Sequence, residues 1–295
     1  MEKKTLLELS RVFSSSIISE LKSSSRSERL ASLFMSLDPV VGYSSSAEKI
    51  SDIFETSYNL LRKTGNRDEY IYKNALIIKQ LLGRHSLSTS TAVKEMRSRN
   101  SKADVVIFNG TSTAYEIKSE RDNFERLASQ LEDYRSTFAA VNVVIPTSCI
   151  DAILDLVPED VGVLALSQRY TIQTIRKSQI NPSRIDKISL FNTLRTAEIE
   201  AILTKINPLI DINIPNTLKR KAYLEDWNRE PVEKLHAESV KTLINSRSCI
   251  KNIDLINQLP HSLKAVGIGD IMSVKETNNL LKSLNSPINQ IYQWR

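Results

Sequence analysis

Glycine is scarce in this sequence: seven in 295 residues, and none gathers into a rich loop ahead of a helix. That excludes P-loop and dinucleotide-binding turns, whose backbone amides must approach phosphate without side chains in the way. Cysteine is scarcer still. Cys149 and Cys249 are too few and too far apart for a zinc cage or a disulfide framework. The three histidines, His85, His236 and His261, form no His-x3-His pair and have no nearby Asp that would mark a triad, so they read as ordinary surface or capping residues. No serine sits in a Gly-x-Ser-x-Gly elbow. No apolar run approaches the ~18 residues of a membrane span. The opening MEKKTLLELSRVFSSS lacks the long apolar core of a signal peptide. The expectation is a cytoplasmic protein with no membrane partner.

Charge is plentiful and unevenly placed. A quarter of the residues are charged and the net charge is +6. Residues 1–66 carry +1, residues 67–166 carry −2, residues 167–251 carry +6 and residues 252–295 carry +1. The excess sits with Arg169, Arg176, Lys177, Arg184, Lys187 and the run Lys219, Arg220, Lys221. One reading is a solubility feature. The other is a phosphate-contacting surface beside a neutral-to-acidic domain.

Along the chain, TLLELSRVF and SERLASLFMSL have helical apolar spacing, punctuated by serine clusters that favour caps over helix interiors. Ser46 is the expected cap of a helix over AEKISDIFETSYNLLRK. Asn66 is the expected start of the next, RDEYIYKNALIIKQLL, with Glu69 at its third position as a capping box. From about Thr91 the period turns extended: TAVKEMR, ADVVIFN and TAYEIKS read as strands. Asp122 with Glu125 reads as a capping box opening a helix whose apolar side is Phe124, Leu127, Leu131, Tyr134 and Phe138. VNVVIP is a continuous apolar strand of the kind buried on both faces. A helix over SCIDAILDLV leads to VGVLALS as its parallel neighbour, and YTIQTIRK adds an edge strand. The fold class is α/β: a mixed sheet flanked by helices, with helical N- and C-terminal parts. The expected division is a helical region 1–65, a core 66–175 and a C-terminal helical region 176–295, basic in its first half.

Within this plan, Glu116 and Lys118 alternate onto one face of their strand. Asp104 lies on the preceding strand. Two carboxylates on adjacent strands can supply converging oxygens to a hard divalent cation, and the lysine adds positive charge near an attacked phosphate or orients a water. Asp104 and Glu116 share a face only if the hairpin loop between them has an odd length. A two-residue Asn109-Gly110 turn would place them on opposite faces. The sequence therefore predicts a loop of about three residues with Gly110 left-handed, or else a bulge near Asp104. Arg126 and Gln130 stand four apart on the following helix, with Tyr134 one turn on. A third acid comes from Glu69 on the earlier helix or from Glu95 on the first strand.

This set, Glu69, Asp104, Glu116-Ile117-Lys118 and Gln130-x3-Tyr134, resembles the PD-(D/E)xK nuclease superfamily. The Gln-x3-Tyr element is similar to that of its RecB-like exonuclease branch. EYIYKN, ADVVI, YEIKSERD and QLEDY look like an uncharacterised bacterial family within it. The likeness covers about residues 66–170 well and the C-terminal helices loosely. Ala103 stands where the superfamily name has proline. The resemblance implies a restriction-endonuclease-like core and hydrolysis of nucleic-acid phosphodiesters, of DNA in the first instance, by an activated water that leaves a 5′-phosphate. It implies Mg2+, with Mn2+ as a substitute, held by Asp104, Glu116, the Ile117 carbonyl and Glu69. Lys118 would activate water or stabilise charge, and Gln130 and Tyr134 would support the site. Nucleic acid would be contacted by Arg126 and by Arg176, Lys177, Lys219, Arg220 and Lys221. A place in defence against phage or mobile DNA, and a regulatory protein partner or a homodimer, belong to the same set of expectations. The competing expectation is a nuclease-fold module that binds nucleic acid or protein without cutting.

Overall fold

A computed structural model describes residues 2–269 and 272–294. The chain divides into two compact units. A helical unit comprises residues 1–78, 119–121 and 251–295, and a sheet unit comprises residues 79–118 and 122–250.

The helical unit begins with α1 (Lys3–Arg11), α2 (Ser15–Ser24) and α3 (Glu28–Val41). Serines set the breaks, as their capping chemistry requires. Ser25 takes a left-handed conformation (φ 60°) at the end of α2, and the Ser27 hydroxyl accepts the Leu30 amide at the start of α3. After a one-turn helix, Tyr43–Ser46, comes α4 (Ile50–Leu61), which is not capped by Ser46. The Asp52 carboxylate reaches back to accept the Glu48 and Lys49 amides, each at 2.9 Å. α5 (Glu69–Leu76) likewise starts later than expected, because Asp68 rather than Asn66 caps it by accepting the Ile71 amide at 3.1 Å. Glu69 is therefore the first helical residue, and the expected Asn66–Glu69 capping box is absent. α5 runs on into a π-helical turn, Ile77–Leu82.

The C-terminal helix Val274–Asn285 packs against α2. Its Asn279 side chain donates to the Lys22 and Ser23 carbonyls at 2.8 and 3.0 Å, satisfying orphan acceptors at the end of α2. A short antiparallel bridge pairs Lys49 with Pro287. The expected boundary at 176 is thus misplaced. The last stretch of the chain joins the N-terminal helices, whereas residues 176–250 belong with the sheet. Asn74, from the EYIYKN stretch, is a buried hub here. Its amide donates to Tyr58 Oη and the His261 carbonyl and accepts the Ala265 amide, all within 2.9 Å.

The sheet unit is built on β1 (Thr91–Ser98), β2 (Ser101–Phe108), β3 (Ser112–Ile117), β4 (Ala140–Pro146), β5 (Gly162–Leu166) and β6 (Ile172–Arg176), hydrogen-bonded in that order. The β3–β4 and β4–β5 pairs are parallel and the others antiparallel. The two parallel links are crossovers through α6 (Leu127–Arg135) and α7 (Ile150–Leu156), as parallel strands require. Every residue of β4 and β5 is buried, matching their unbroken apolar runs.

α6 starts five residues after the expected Asp122 cap. Instead of a capping box, Asn123 Oδ1 accepts the Glu125 amide at 3.3 Å, and the Leu127 amide bonds the Phe124 carbonyl. A local side-chain turn has outcompeted a helical first turn. The rest of the sheet unit is helical: α8 (Lys187–Thr193), α9 (Thr196–Ile206), α10 (Asn216–Arg229) and α11 (Val232–Ser246). α8 packs on β1 and α11 on β2. Phe191, Ile199, Ile202, Trp227 and Leu243 join Val106, Phe108, Val141 and Val143 in one buried cluster, which is why these helices do not form a separate domain.

His236 departs from the surface role expected of it. It is buried on α11, with Nε2 2.9 Å from Ser112 Oγ, and that hydroxyl also accepts the Ala139 amide. The imidazole and the hydroxyl thus share one buried hydrogen bond, whose donor depends on the tautomer. Burial pushes its pKa down to about 4.

Candidate nucleic-acid cleavage site

The hairpin between β2 and β3 decides which side chains meet. Phe108 pairs with Ser112, leaving a three-residue loop, Asn109–Thr111, closed by the Asn109 amide on the Thr111 carbonyl and with Gly110 at φ +66°. The odd loop puts Asp104 opposite Glu116, one step beyond the Val105–Tyr115 pair. Main-chain pairing stops there because the Asp104 carboxylate itself accepts the Ile117 amide at 2.7 Å.

On its other side Asp104 faces Glu95. The β1–β2 register pairs Lys94 with Val105 and Met96 with Ala103, and skips the pair between them. Glu95 has φ +53°, an uncommon conformation for a non-glycine residue in a strand and one associated with functional sites. Carboxylate oxygens of Glu95 and Asp104 lie within 4.8 Å of each other. By register, then, Glu95, Asp104 and Glu116 form one row across three neighbouring strands. Glu95 is exposed, Asp104 half-buried and Glu116 buried.

Around Glu116 the polar atoms are closely engaged. Lys118 Nζ donates to Glu116 Oε1 at 3.0 Å and to Gln130 Oε1 at 2.9 Å. Tyr134 Oη lies 2.7 Å from Glu116 Oε2 and 2.6 Å from the Lys102 carbonyl. The Lys118 side chain is only 11 % exposed and that of Glu116 3 %. Burial raises the pKa of Glu116, opposed by Tyr134, Lys118 and Gln130. Burial also raises that of Tyr134, reinforced by the charge of Glu116. The strand-to-helix geometry therefore gathers Asp104, Glu116, Lys118, Gln130 and Tyr134, and adds Glu95.

Other residues singled out by sequence have further partners or are exposed. Glu69 heads α5 and pairs with Lys73 at 2.9 Å. Arg126 is exposed just ahead of α6. Arg176 donates to the Val161, Val157 and Pro158 carbonyls, bracing the end of β6. Lys177 and Lys221 are exposed. Lys219 pairs with Glu200 at 2.6 Å. Arg220 lies 4.7 Å from the Phe191 ring centroid and donates to the Leu194 and Phe191 carbonyls at the end of α8. Three of the six expected nucleic-acid contacts are thus engaged in holding the sheet unit together.

The chain matches the family described as bacteriophage P4 protein cII over residues 62–275 and belongs to it. It is 28 % identical over 213 residues to protein cII of Enterobacteria phage P4, spanning 70 % of this chain and 78 % of that one. Among solved structures it is similar to SPO1766, a protein of unknown function from Silicibacter pomeroyi, with 16 % identity and a TM-score of 0.32 over 50 % of this chain and 99 % of the other. Among the described residues no helix is long and apolar enough to cross a membrane.

Proposed function

We infer that the chain is a Mg2+-dependent nuclease that hydrolyses nucleic-acid phosphodiesters, DNA being the favoured substrate. The observation that carries this reading is the Lys118 ammonium, held between Glu116 and Gln130 at the end of the strand whose neighbour presents Asp104 and, within 4.8 Å of it, Glu95. Two close carboxylates repel, and a hard divalent cation relieves that repulsion with the oxygen ligands it prefers. Asp104, Glu116 and the Ile117 carbonyl would hold the ion, and Glu95 stands where a further carboxylate can reach it. When bound, the ion supplies charge neutralisation at the attacked phosphate and lowers the pKa of an attacking water.

The protein's own groups do the rest. Asp104 is oriented by the Ile117 amide, so its second oxygen is directed by the main chain rather than by solvent. Lys118 places positive charge where the phosphorane gathers negative charge. Gln130 fixes the lysine, and Tyr134 fixes Glu116 against the Lys102 carbonyl. Attack of water on phosphorus with cleavage of the bond to the 3′ oxygen would leave a 5′-phosphate. Membership of a family described from a bacteriophage agrees with a role among mobile DNA elements or in defence against them.

A second reading is a nuclease-fold module that binds nucleic acid or protein without cutting it. What favours it is the mutual satisfaction of Glu116, Lys118, Gln130 and Tyr134, a network that would also serve as structural glue.

One assay separates the two. Linear, nicked, supercoiled and single-stranded DNA, and RNA, are incubated with the protein in Mg2+ or Mn2+, beside Lys118→Ala and Asp104→Ala. Cleavage that requires metal and disappears in both variants supports the enzyme. Binding without cutting under every condition rejects it.

A further inference from the structure

We propose that Arg97 and Lys102 form a phosphate-binding pair that holds the nucleic-acid strand beside the carboxylates of the sheet unit. This rests on the cleavage reading above, and the closing experiment separates the two. Every residue involved belongs to the sheet unit.

Arg97 on β1 and Lys102 on β2 are direct partners in the register, so their side chains share a face. The adjacent pair, Met96 and Ala103, is buried in the core cluster. Strand alternation turns the residues on either side of that pair away from the core: Glu95 and Arg97 on β1, Lys102 and Asp104 on β2. Exposure agrees, since Glu95, Arg97 and Lys102 are exposed and Asp104 is half-buried. The two cations therefore stand one alternation beyond the opposed acids Glu95 and Asp104, about 7 Å along the strands. That is close to the step between successive phosphates of an extended strand.

Two features set this pair apart from ordinary surface charge. Among the described residues, neither the Arg97 guanidinium nor the Lys102 ammonium has a hydrogen-bonding or ion-pair partner. Arg99, at the hairpin tip, by contrast donates to Ser189 Oγ at 2.9 Å. Like charges directly opposite one another on neighbouring strands are destabilising, and a bound polyanion relieves that repulsion. The second feature is bracing. Ser98 Oγ donates to the Asp133 carbonyl and Ser101 Oγ to Asp133 Oδ2, each at 2.7 Å. The Lys102 carbonyl lies 2.6 Å from Tyr134 Oη, which is itself 2.7 Å from Glu116 Oε2. Cations mounted on a braced hairpin lose less freedom when phosphate binds them. β1 is also the edge of the sheet, where charge deters strand addition. That duty alone would leave nucleic-acid affinity untouched.

The test uses the full-length chain with Arg97→Ala, Lys102→Ala and both together, beside Lys205→Ala on an exposed lysine of α9. Binding of fluorescent single-stranded and duplex DNA is titrated across salt without metal, and kcat and KM for cleavage are measured in Mg2+. Each single change should weaken binding about tenfold and lower the salt slope by about one unit, and the double change should lower it by about two. KM should rise in step while kcat holds. Lys205→Ala should leave affinity as it is. If an alanine variant melts below the parent, Lys102→Glu decides. It sets opposite charges across the strands, so it should melt at or above the parent while binding DNA more weakly. Unchanged affinity and salt slope in the double variant, or in Lys102→Glu where that decides, overturn the proposal. So does a loss that Lys205→Ala equals, or a parent that binds no DNA at low salt. If the parent binds but cuts no substrate, the cleavage reading fails, while the titration still decides whether the pair holds phosphate.

Discussion

The Tyr134 hydroxyl sits 2.7 Å from Glu116 Oε2 while also 2.6 Å from the Lys102 carbonyl. A phenol has one proton, and a carbonyl can only accept. The two acceptors compete for it, and donation to Glu116 favours the ionised carboxylate, opposing the burial that raises its pKa. Tyr134→Phe removes a partner that lowers the pKa, so the carboxyl titrates at higher pH still. Because an ion binds the carboxylate and not the acid, the pH midpoint of Mn2+ binding should move upward in this variant. Stability should fall by about 1 kcal/mol, the worth of one hydrogen bond. Mn2+ titration across pH and chemical denaturation check the two effects.

Glu116→Gln keeps the shape and neutralises a carboxylate that burial disfavours. Metal-dependent cleavage should disappear, while the melting temperature stays at or above that of the parent, since functional carboxylates are retained at a cost in stability. A variant that loses activity and melts lower would make Glu116 a structural residue first.

His236 gives the fold an acid-sensitive joint. Its folded pKa of about 4 lies below the ordinary 6.5, so the unfolded chain binds the extra proton first. The contribution is complete above about pH 6.5 and is lost progressively as pH falls toward 4, amounting to about 3 kcal/mol at the low end. His236→Gln, which keeps a neutral hydrogen-bonding group near Ser112, should flatten the decline between those values. Thermal melts at pH 7, 5.5 and 4.5 measure it.

The run Lys219-Arg220-Lys221 separates into parts with different duties. Arg220→Ala should cost about 1–2 kcal/mol, because it loses the Phe191 face and the carbonyls at the end of α8. Lys221→Ala should leave stability unchanged. If this surface contacts nucleic acid, Lys221→Ala also weakens DNA binding and lowers the salt slope by about one unit. An unchanged slope identifies Lys221 as a solvated side chain alone.

Much of this arrangement was legible before any coordinates. Alternation placed Glu116 with Lys118, and the parity argument from Asp104 required the odd loop that the structure has at Asn109–Thr111. The apolar runs of β4 and β5 announced burial on both faces. What escaped were choices among near-equal local partners. Asp68 and Asn66 are both good caps, as are Ser46 and the backward-reaching Asp52, and only packing decides between them. Glu95 could be weighed but not placed, since its left-handed backbone is set by the two strands together. His236 reads as a surface or capping residue, and wrongly so, because its partner Ser112 is 124 positions away.

The three-residue loop also restricts how relatives of this chain can vary. A single insertion or deletion between Phe108 and Ser112 would turn either Asp104 or Glu116 to the other face of the sheet while leaving every atom of both intact. Length changes compatible with the site should therefore come in pairs, a counting rule that other sequences of the family can be held to.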